Sequence, residues 1–315
     1  MALSHPLLLH GKSRVTLLRL FVIVFNKNII FCNESELNIQ IPLDSALETI
    51  NIIEKQTCTE IFDVSIKSIF VEMSGQEVRY LREQSFSKAD KTFSWGIEIK
   101  DILTLVWDAK EREIHYIKGE NYTPERLRFW IYHTFLPLVL ELEKTYHILH
   151  VGAVEVDEKP ILFSAFSFGG KSTMTDYFLK QGHTLLSDDS LGIDKREDGY
   201  YAISSYPYHR PYRELETLGY YTENFSTTPK SVYVMYVLDK SKPDSSIEIV
   251  ELKGIEKFKA FHYSTFINFD FMKKERFEYF TEMAKHVPVY KISVPWDKER
   301  LAEVYDAIIQ KIQEL

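Results

Sequence analysis

The sequence predicts a mixed α/β fold, of the α+β type, in two domains. Three observations lead to this prediction. The first third of the chain consists of short runs rich in β-branched and aromatic residues, separated by polar turns. A helical pattern of apolar residues begins abruptly after Thr123. Beyond it, strands and helices mix around one strand–loop–helix unit. We therefore expect a β-rich N-terminal domain over residues 1–120 and a second domain over residues 121–315.

The composition limits the classes of partner. Of the 315 residues, 45% are hydrophobic and 27% are charged, which is enough apolar material for sizeable cores. The 38 basic and 46 acidic side chains give a net charge of −8, so we expect neither nucleic acid nor an anionic membrane as a general partner. Cys32 and Cys58 are too few for a disulfide framework or a four-cysteine zinc site. These features favour a cytoplasmic protein, and the apolar stretch from Leu20 to Phe25 is too short to span a bilayer.

The N-terminal part contains a series of predicted strands with one helical interruption. Residues 42–55 are interpreted as a short helix, with Asp44 and Ser45 as candidate caps. Several of the other runs alternate apolar and polar residues, which is typical of half-buried strands. The predicted strands are Val15–Phe25, Ile29–Phe31, Ile66–Met73, Val78–Leu81, Ile97–Trp107 and Ile114–Ile117.

The domain boundary is predicted just before a long helix. Thr123 is a good N-cap, Pro124 suits the first helical position, and Glu125 complements the positive end of a helix. Apolar residues then recur at helical spacing to about residue 145. Pro137 lies inside this pattern and predicts a kink or break near it.

The second domain is predicted to begin with a hairpin, Leu149–Val156 followed by Pro160–Ala165. A helix from Lys171 to Lys180 is expected to end at Gly182, and a strand from Thr184 to Ser187 follows it. The remaining predicted elements are strands at about 200–204, 231–238, 247–252 and 288–294, and helices at about 254–261, 273–285 and 298–313.

Residues 161–173 carry the most specific motif of the chain. A buried strand leads into a loop, then into Gly-Lys-Ser-Thr and a helix, so that backbone amides and the helix dipole point at a bound phosphate. We expect Lys171 to reach the β- and γ-phosphates of ATP and Ser172 to bind Mg²⁺. The predicted nucleotide-binding residues of this loop are Ser167, Phe168, Gly169, Gly170, Lys171, Ser172 and Thr173.

The loop departs from the usual phosphate-binding pattern at two positions. Ala165 stands where the motif has its first glycine, and Phe168 stands where a small residue is expected. Alanine is tolerated there if the residue has a negative φ and is costly if φ is positive. The alternative interpretation is a structural strand-to-helix turn with a solvated lysine.

An acidic pair follows the next strand. Leu185-Leu186-Ser187 ends in Asp188-Asp189, and the 17 residues from Ser172 to Asp189 allow one helix, a turn and a strand that returns to the loop. Carboxylates there hold Mg²⁺ or take a proton from an attacking hydroxyl. Adjacent residues of an extended strand point to opposite faces, so we expect the two aspartates to divide these roles. Which of them is the base stays open.

With these residues together, the segment from His150 to Asp189 resembles the catalytic domain of the HPr kinase/phosphorylase family, and especially its divergent relatives. The shared features are a histidine that opens the strand before the loop, the Gly-Lys-Ser loop, and an apolar strand after Gly182-His183 that ends in two aspartates. The resemblance implies a fold related to phosphoenolpyruvate carboxykinase. It also implies transfer of the γ-phosphoryl group of ATP to a serine hydroxyl.

The resemblance also implies roles for individual residues. Lys171, Asp188 and Asp189 would be catalytic, His150 would tune an aspartate, and Ser172 with Asp189 would bind the metal. The family uses an arginine after the acidic pair to stabilise the transferring phosphoryl group, and the two candidates are Arg210 and Arg213.

The sequence therefore predicts a Mg²⁺-dependent and ATP-dependent kinase that acts on a serine of a small protein or peptide. The Gly-rich stretch and basic loop with which HPr kinases grip HPr are not found downstream, so HPr itself is a poor candidate acceptor. One alternative is a nucleotide-binding regulatory or scaffold protein without transfer activity, and another is an NTPase that drives assembly. The acceptor, the role of residues 1–120 and a homo-oligomeric state stay open.

Overall fold

The computed structural model describes residues 22–34, 36, 44–86, 93–166, 169–211 and 214–315. Three predicted site residues, Ser167, Phe168 and Arg213, lie outside the described residues, as does the first part of the predicted strand Val15–Phe25. Within these ranges the protein is a mixed α/β structure with several sheets and few helices, which confirms the predicted class. No helix in the described ranges is long and apolar enough to cross a membrane.

A nine-stranded sheet occupies the N-terminal part. Its order is β1-β2-β3-β9-β8-β7-β6-β4, and β5 pairs with β6. The β2–β3 and β3–β9 pairs are parallel, and the other pairs are antiparallel. The strands are β1 (Val22–Val24), β2 (Lys27–Phe31), β3 (Thr49–Glu54), β4 (Ile66–Lys67), β5 (Val71–Met73), β6 (Gln76–Arg82), β7 (Trp95–Ile99), β8 (Leu103–Asp108) and β9 (Glu113–Lys118).

The helix predicted over residues 42–55 is wrong, because its second half is strand β3. Ile50 and Ile52 are buried on one face of the sheet, with the period of two that a strand requires. Pairing on both sides, with β2 and β9, fixes this segment as a strand. Strand β9 is far from β3 in the sequence, so the local pattern of residues 42–55 does not reveal this pairing. The predicted strand over residues 97–107 is instead a hairpin that turns at Asp101, where φ is +60°.

The predicted long helix is present but interrupted. It consists of α1 (Pro124–Trp130), a π-helical turn (Ile131–Phe135) and α2 (Leu136–Leu142). The hydroxyl of Thr123 caps α1 by accepting a hydrogen bond from the backbone N–H of Arg126 at 3.2 Å. Pro137 has no N–H to continue a regular hydrogen-bond ladder, and the predicted break takes the form of the π turn just before it.

A six-stranded sheet carries the rest of the chain, together with a four-stranded and a two-stranded sheet. Their orders are β13-β11-β12-β19-β21-β20, β10-β14-β15-β18 and β16-β17. The elements are β10 (His147–Leu149), β11 (Gly152–Val156), β12 (Lys159–Ala165), α3 (Lys171–Lys180), β13 (Thr184–Ser187), β14 (Leu191–Arg196), β15 (Gly199–Ile203), β16 (Tyr208–His209), β17 (Tyr220–Tyr221), β18 (Lys230–Ser231), β19 (Val234–Ser241), β20 (Ile249–Glu251), α4 (Gly254–Tyr263), α5 (Lys273–His286), β21 (Val289–Pro295) and α6 (Leu301–Glu314).

Each large sheet is covered by helices. The segment from α1 to α2 shares one apolar core with the nine-stranded sheet, where Phe135 packs against Trp95 with ring centroids 5.0 Å apart. Helices α3 and α6 cover one face of the six-stranded sheet, and α4 and α5 pack on its other side. The proposed division of the chain after residue 120 stays a prediction.

One edge of the six-stranded sheet gathers the predicted site residues. Strands β12, β19 and β21 are parallel, so their carboxyl ends meet at this edge. Strand β11 is antiparallel to β12 and begins there, two residues after His150, while β13 is antiparallel to β11 and ends there, directly before Asp188. In open α/β sheets, ligands bind outside the carboxyl ends of the strands.

Candidate functional site

The loop after β12 turns tightly into helix α3. The N–H of Gly169 donates to the carbonyl oxygen of Phe166 at 2.8 Å, and a Cβ on Gly169 would lie 2.7 Å from that same oxygen. Gly170 has a φ of +94° and precedes Lys171, the first residue of α3. Both glycines are therefore required by the backbone. The helix N-terminus, whose first N–H groups have no carbonyl partner within the helix, faces the edge described above.

The alanine at the first position of the motif does not disturb this arrangement. Ala165 is the last residue of β12 and pairs in register with Leu238 of β19. It is not among the described residues with a positive φ. The backbone at this position is ordinary strand, so a glycine is not needed for conformational reasons.

Asp188 is a buried carboxylate beside the helix N-terminus. Its Oδ2 accepts a hydrogen bond from the backbone N–H of Arg210 at 2.7 Å. Burial raises the pKa of Asp188, while the bond from Arg210 and the nearby hydroxyl of Ser172 lower it, and the net direction is upward. Its Oδ1 is buried and has no hydrogen-bond partner within the described residues. An orphaned carboxylate oxygen of this kind needs a proton or a cation.

The donor set here fits Mg²⁺. A carboxylate and a hydroxyl are hard oxygen ligands, and Mg²⁺ in nucleotide sites is held by one or two such groups together with phosphate oxygens. Within the described ranges no group of three or more His, Cys, Asp or Glu side chains could hold a metal on its own. The sequence paired Ser172 with Asp189 for the metal, but the carboxylate beside Ser172 is that of Asp188.

The carboxylate of Asp189 lies in a group of basic side chains. Its Oδ1 lies 3.3 Å from Nδ1 of His150, and its backbone carbonyl oxygen lies 3.0 Å from the same nitrogen. Both oxygens are acceptors, so Nδ1 carries the proton and Nε2 of neutral His150 keeps its lone pair. Burial and the positive charge of Lys171 lower the pKa of His150, although Asp189 opposes them.

His133 completes this group, and the sequence alone did not single it out. Its Nε2 lies 2.7 Å from Oδ2 of Asp189. Burial raises the pKa of Asp189, but His133, His150 and Arg210 together outweigh burial and hold this pKa well below its usual range. His133 lies in the π-helical turn, a distortion that is frequent at functional sites. Pro137 was the one sequence signal for that distortion.

Arg210 connects the two aspartates. Its backbone binds Asp188, and its Nη2 lies 2.7 Å from Nε2 of His133 and 3.6 Å from Oδ2 of Asp189. The structure therefore brings together Asp188, Asp189, His150 and Arg210 of the predicted set and adds His133. We call His133, His150, Asp189 and Arg210 the Asp189 cluster.

The turn that carries both aspartates is held by serine side chains. The hydroxyl of Ser187 donates to the carbonyl oxygen of Ser190 at 2.8 Å and accepts from the N–H of Asp189 at 3.3 Å. Ser205 donates to the same Ser187 hydroxyl at 3.1 Å. All three serines are buried, so these bonds fix the direction of the two carboxylates.

Two separate cavities border the site. One, of about 130 Å³, lies between Gly170, Thr173 and Trp296, which follows β21. The other, of about 450 Å³, is bordered by Asp189 and His150. The two cavities share no lining residue among the described ones. The site is therefore bordered by two cavities, one beside the loop and one beside Asp189.

Comparisons with known proteins include a distant structural likeness. No protein-family model and no curated protein sequence matches the chain. Among solved structures, it is similar to the Hpr(Ser) kinase/phosphatase from Coxiella burnetii, with 12% sequence identity and a TM-score of 0.33. That likeness covers 53% of this chain and 93% of the other. At this level, the activity has to be argued from the site itself.

Proposed function

We propose that the chain is a kinase that transfers the γ-phosphoryl group of ATP, with Mg²⁺, to the serine hydroxyl of a small protein or peptide. The observation that carries the proposal is the orphaned Oδ1 of buried Asp188 next to Ser172 at the N-terminus of α3. A buried carboxylate oxygen without a hydrogen bond needs a proton or a cation. A bound Mg²⁺–nucleotide complex would supply the cation.

The triphosphate binds at the N-terminus of α3. Backbone N–H groups around Gly170 and the ammonium group of Lys171 contact its phosphate oxygens. Ser172 and Asp188 would hold Mg²⁺, which when bound neutralises charge on the β- and γ-phosphates. The influence of Lys171 on the pKa of His150 supports a position of the lysine between the phosphates and the Asp189 cluster.

The nucleobase occupies the cavity of about 130 Å³ beside Trp296. This cavity adjoins the helix N-terminus and lies at the carboxyl end of β21, on the same sheet edge as the loop. The indole ring is 46% exposed, and the ammonium group of Lys240 lies 3.8 Å from the ring centroid. An aromatic nucleobase stacks on such a ring, and stacking needs no particular set of hydrogen bonds.

The proton of the acceptor passes to His150. Asp189 holds Nδ1 of His150, so Nε2 is oriented as a general base, and the low pKa of Asp189 makes the carboxylate itself a poor proton acceptor. In the transfer, the acceptor oxygen loses its proton to Nε2 and forms a bond to the γ-phosphorus. The bond from that phosphorus to the bridging oxygen breaks, and its electron pair leaves with ADP. Arg210 neutralises charge on the group in transit.

The test is calorimetric titration of MgATP into the wild type and Lys171→Ala, with Lys180→Ala at the other end of α3 as the matched control. We expect the wild type and Lys180→Ala to bind alike and Lys171→Ala to lose at least about tenfold in affinity, since a charge-assisted phosphate contact contributes ~1.5–3 kcal/mol. A folded wild type that binds no MgATP would falsify the proposal.

A second candidate is a nucleotide-binding regulator without transfer activity. The observation that favours it is the contact of His133 and Arg210 with the carboxylate of Asp189, at 2.7 Å and 3.6 Å. Such an arrangement resembles a structural ion-pair network. Asp188→Asn separates the two functions. If the chain is a kinase, this variant loses phosphoryl transfer, and its nucleotide binding no longer depends on Mg²⁺. If the chain is a regulator, only its nucleotide affinity changes.

A further inference from the structure

The larger cavity lies on the side of the Asp189 cluster that faces the nine-stranded sheet. It has a volume of about 450 Å³, within the ~300–1,000 Å³ typical of small-ligand sites. Asp189 and His150 border it, so a molecule inside it would reach the proposed base directly. Its other walls come from the β5–β6 hairpin, the π-helical turn with α2, and residues 265–269.

The wall formed by residues 265–269 is held in place by contacts to the strands that carry the site residues. The N–H of His150 donates to the carbonyl oxygen of Ser264, and the hydroxyl of Ser264 is 2.6 Å from that of Ser164 in β12. Leu149 also forms a β-bridge with Thr265. The wall over residues 264–269 is thus tied to strand β10, to His150 and to strand β12, which leads into the loop.

The chemistry of the lining is neutral and partly aromatic. Apart from the histidines and Asp189 of the cluster, Tyr80 is the one titratable group among the described lining residues, and burial raises its pKa to about 12. The remaining described side chains are apolar, hydroxyl or amide groups. The carboxylate of Asp189 is already paired with Arg210 and the two histidines. A charged ligand would find no further counter-charge among the described lining residues, and burying it there would be costly.

One polar atom of the lining has no partner. The hydroxyl oxygen of Thr265 is buried and makes no hydrogen bond within the described part of the chain. Buried hydroxyl groups are almost always satisfied, so this one would be satisfied by a ligand group once a small movement of the wall exposes it. It stands on the same wall as Phe266, whose ring centroid is 6.2 Å from that of His150. The cavity thus offers an aromatic surface and a hydrogen bond near the base.

We propose that this cavity is the acceptor site, and that it takes a seryl residue flanked by uncharged, partly apolar residues. The proposal rests on the kinase function proposed above. The seryl hydroxyl lies at Nε2 of His150, the flanking side chains pack on Phe266 and Met73, and Thr265 bonds a backbone group of the peptide. The nine-stranded sheet, through Met73 and Tyr80, then selects the acceptor.

The first test compares three peptides as acceptors of phosphoryl groups from MgATP, by mass spectrometry and initial rates. They are serine with leucine and phenylalanine neighbours, serine between two glutamates, and serine between two lysines, each with blocked ends. We expect kcat/KM for the neutral peptide to exceed both others by about tenfold or more, because an unpaired charge in a neutral cavity is penalised. A charged peptide that is used as well as the neutral one, or no transfer to any peptide, overturns the proposal.

The second test fills the cavity. Met73→Trp adds bulk from β5, and Glu72→Trp adds the same bulk at the neighbouring residue, which points to the opposite face of the strand. We expect Met73→Trp to lower kcat/KM for the neutral peptide by about tenfold or more, with wild-type affinity for MgATP, and Glu72→Trp to behave as the wild type. Equal activity of the two variants would exclude this cavity as the acceptor site.

Thr265→Val serves if Met73→Trp does not fold. It keeps the shape of the side chain and removes only the unpartnered hydroxyl, so the fold loses no hydrogen bond. We expect a rise in KM for the neutral peptide of about fivefold or more, with unchanged affinity for MgATP. An unchanged KM contradicts the assignment. In all these tests, retained MgATP binding with failed acceptor predictions removes only the acceptor site, whereas absent MgATP binding removes the kinase function itself.

Discussion

The nucleotide side of the site and the acceptor cavity are built from different kinds of sequence. On the nucleotide side, Lys171, Ser172 and Asp188 lie within 18 consecutive residues that run from the start of α3 to the residue directly after β13. The acceptor cavity joins β5, the π-helical turn and residues 265–269, which are far apart in the chain. The comparison teaches that the residues proposed for phosphate chemistry are encoded locally, whereas the proposed acceptor specificity depends on how two large sheets pack.

We expect the largest effect on phosphoryl transfer when the negative charge of Asp189 is removed, because Asp189 lies where the nucleotide side meets the acceptor cavity. In Asp189→Asn, His150 loses the group that orients it, and His133 and Arg210 lose the carboxylate that they share. We expect transfer to fall by about 10²–10⁴-fold, as for other base-orienting carboxylates, with little change in MgATP affinity. Steady-state kinetics and calorimetry measure the two effects.

Asp198→Asn is the control for that variant, because Asp198 lies in the β14–β15 turn and bonds only Tyr201 among the described partners. If Asp189→Asn lost nucleotide binding as strongly as transfer, Asp189 would belong to the nucleotide side and the division of the site would be wrong.

The pH dependence of transfer tests His150 as the base. Burial and Lys171 lower the pKa of His150 from 6.5, so the neutral form predominates at pH 7 and is lost as the pH falls through the lowered value. We expect kcat/KM to be level near neutrality and to decline only below pH 6.5. His150→Gln should be about 10²–10⁴-fold slower and should lack this decline. A decline with the same midpoint in His150→Gln would assign it to another group.

A smaller effect on ATP affinity is expected at the proposed nucleobase site. Trp296→Ala should weaken ATP binding by ~1–3 kcal/mol, the contribution of one stacked base, and should leave the binding of inorganic tripolyphosphate unchanged. Trp296→Phe keeps an aromatic ring and should retain most of the affinity. Competition titrations with a fluorescent ATP analogue measure all three proteins. An equal loss for tripolyphosphate would show that Trp296 acts on the phosphate loop and not on the base.

The smallest effects are expected in the loop itself, where two substitutions contrast. Gly170→Ala places a side chain at a φ of +94° and should cost ~1–2 kcal/mol of stability. Ala165→Gly restores the usual motif at an ordinary strand position and should cost no more than ~1 kcal/mol, with unchanged MgATP affinity. Urea unfolding and calorimetry measure both. Tighter MgATP binding in Ala165→Gly would mean that the alanine does restrict the site.

Much of the second half of the fold followed from local patterns. The helix from Lys171 to Lys180, its end near Gly182 and the strand Thr184–Ser187 were all predicted, because capping residues and apolar periodicity act over a few residues. The residues 42–55 show the opposite case. Their strand exists because β2 and β9 pair with it on both sides, and this pairing outweighs the local helical pattern.

The sequence by itself determined which residues are the candidates for phosphate chemistry, because a Gly-Lys-Ser turn at a helix start and two aspartates after a strand are typical of phosphate-binding sites. Only the tertiary structure decided which aspartate stands beside Ser172, and it is Asp188. It also added His133, whose place depends on a π-helical turn and on the packing of that turn against the turn that carries Asp189. These are long-range contacts, and a contact between residues 133 and 189 leaves no periodicity or spacing in the sequence from which it could be predicted.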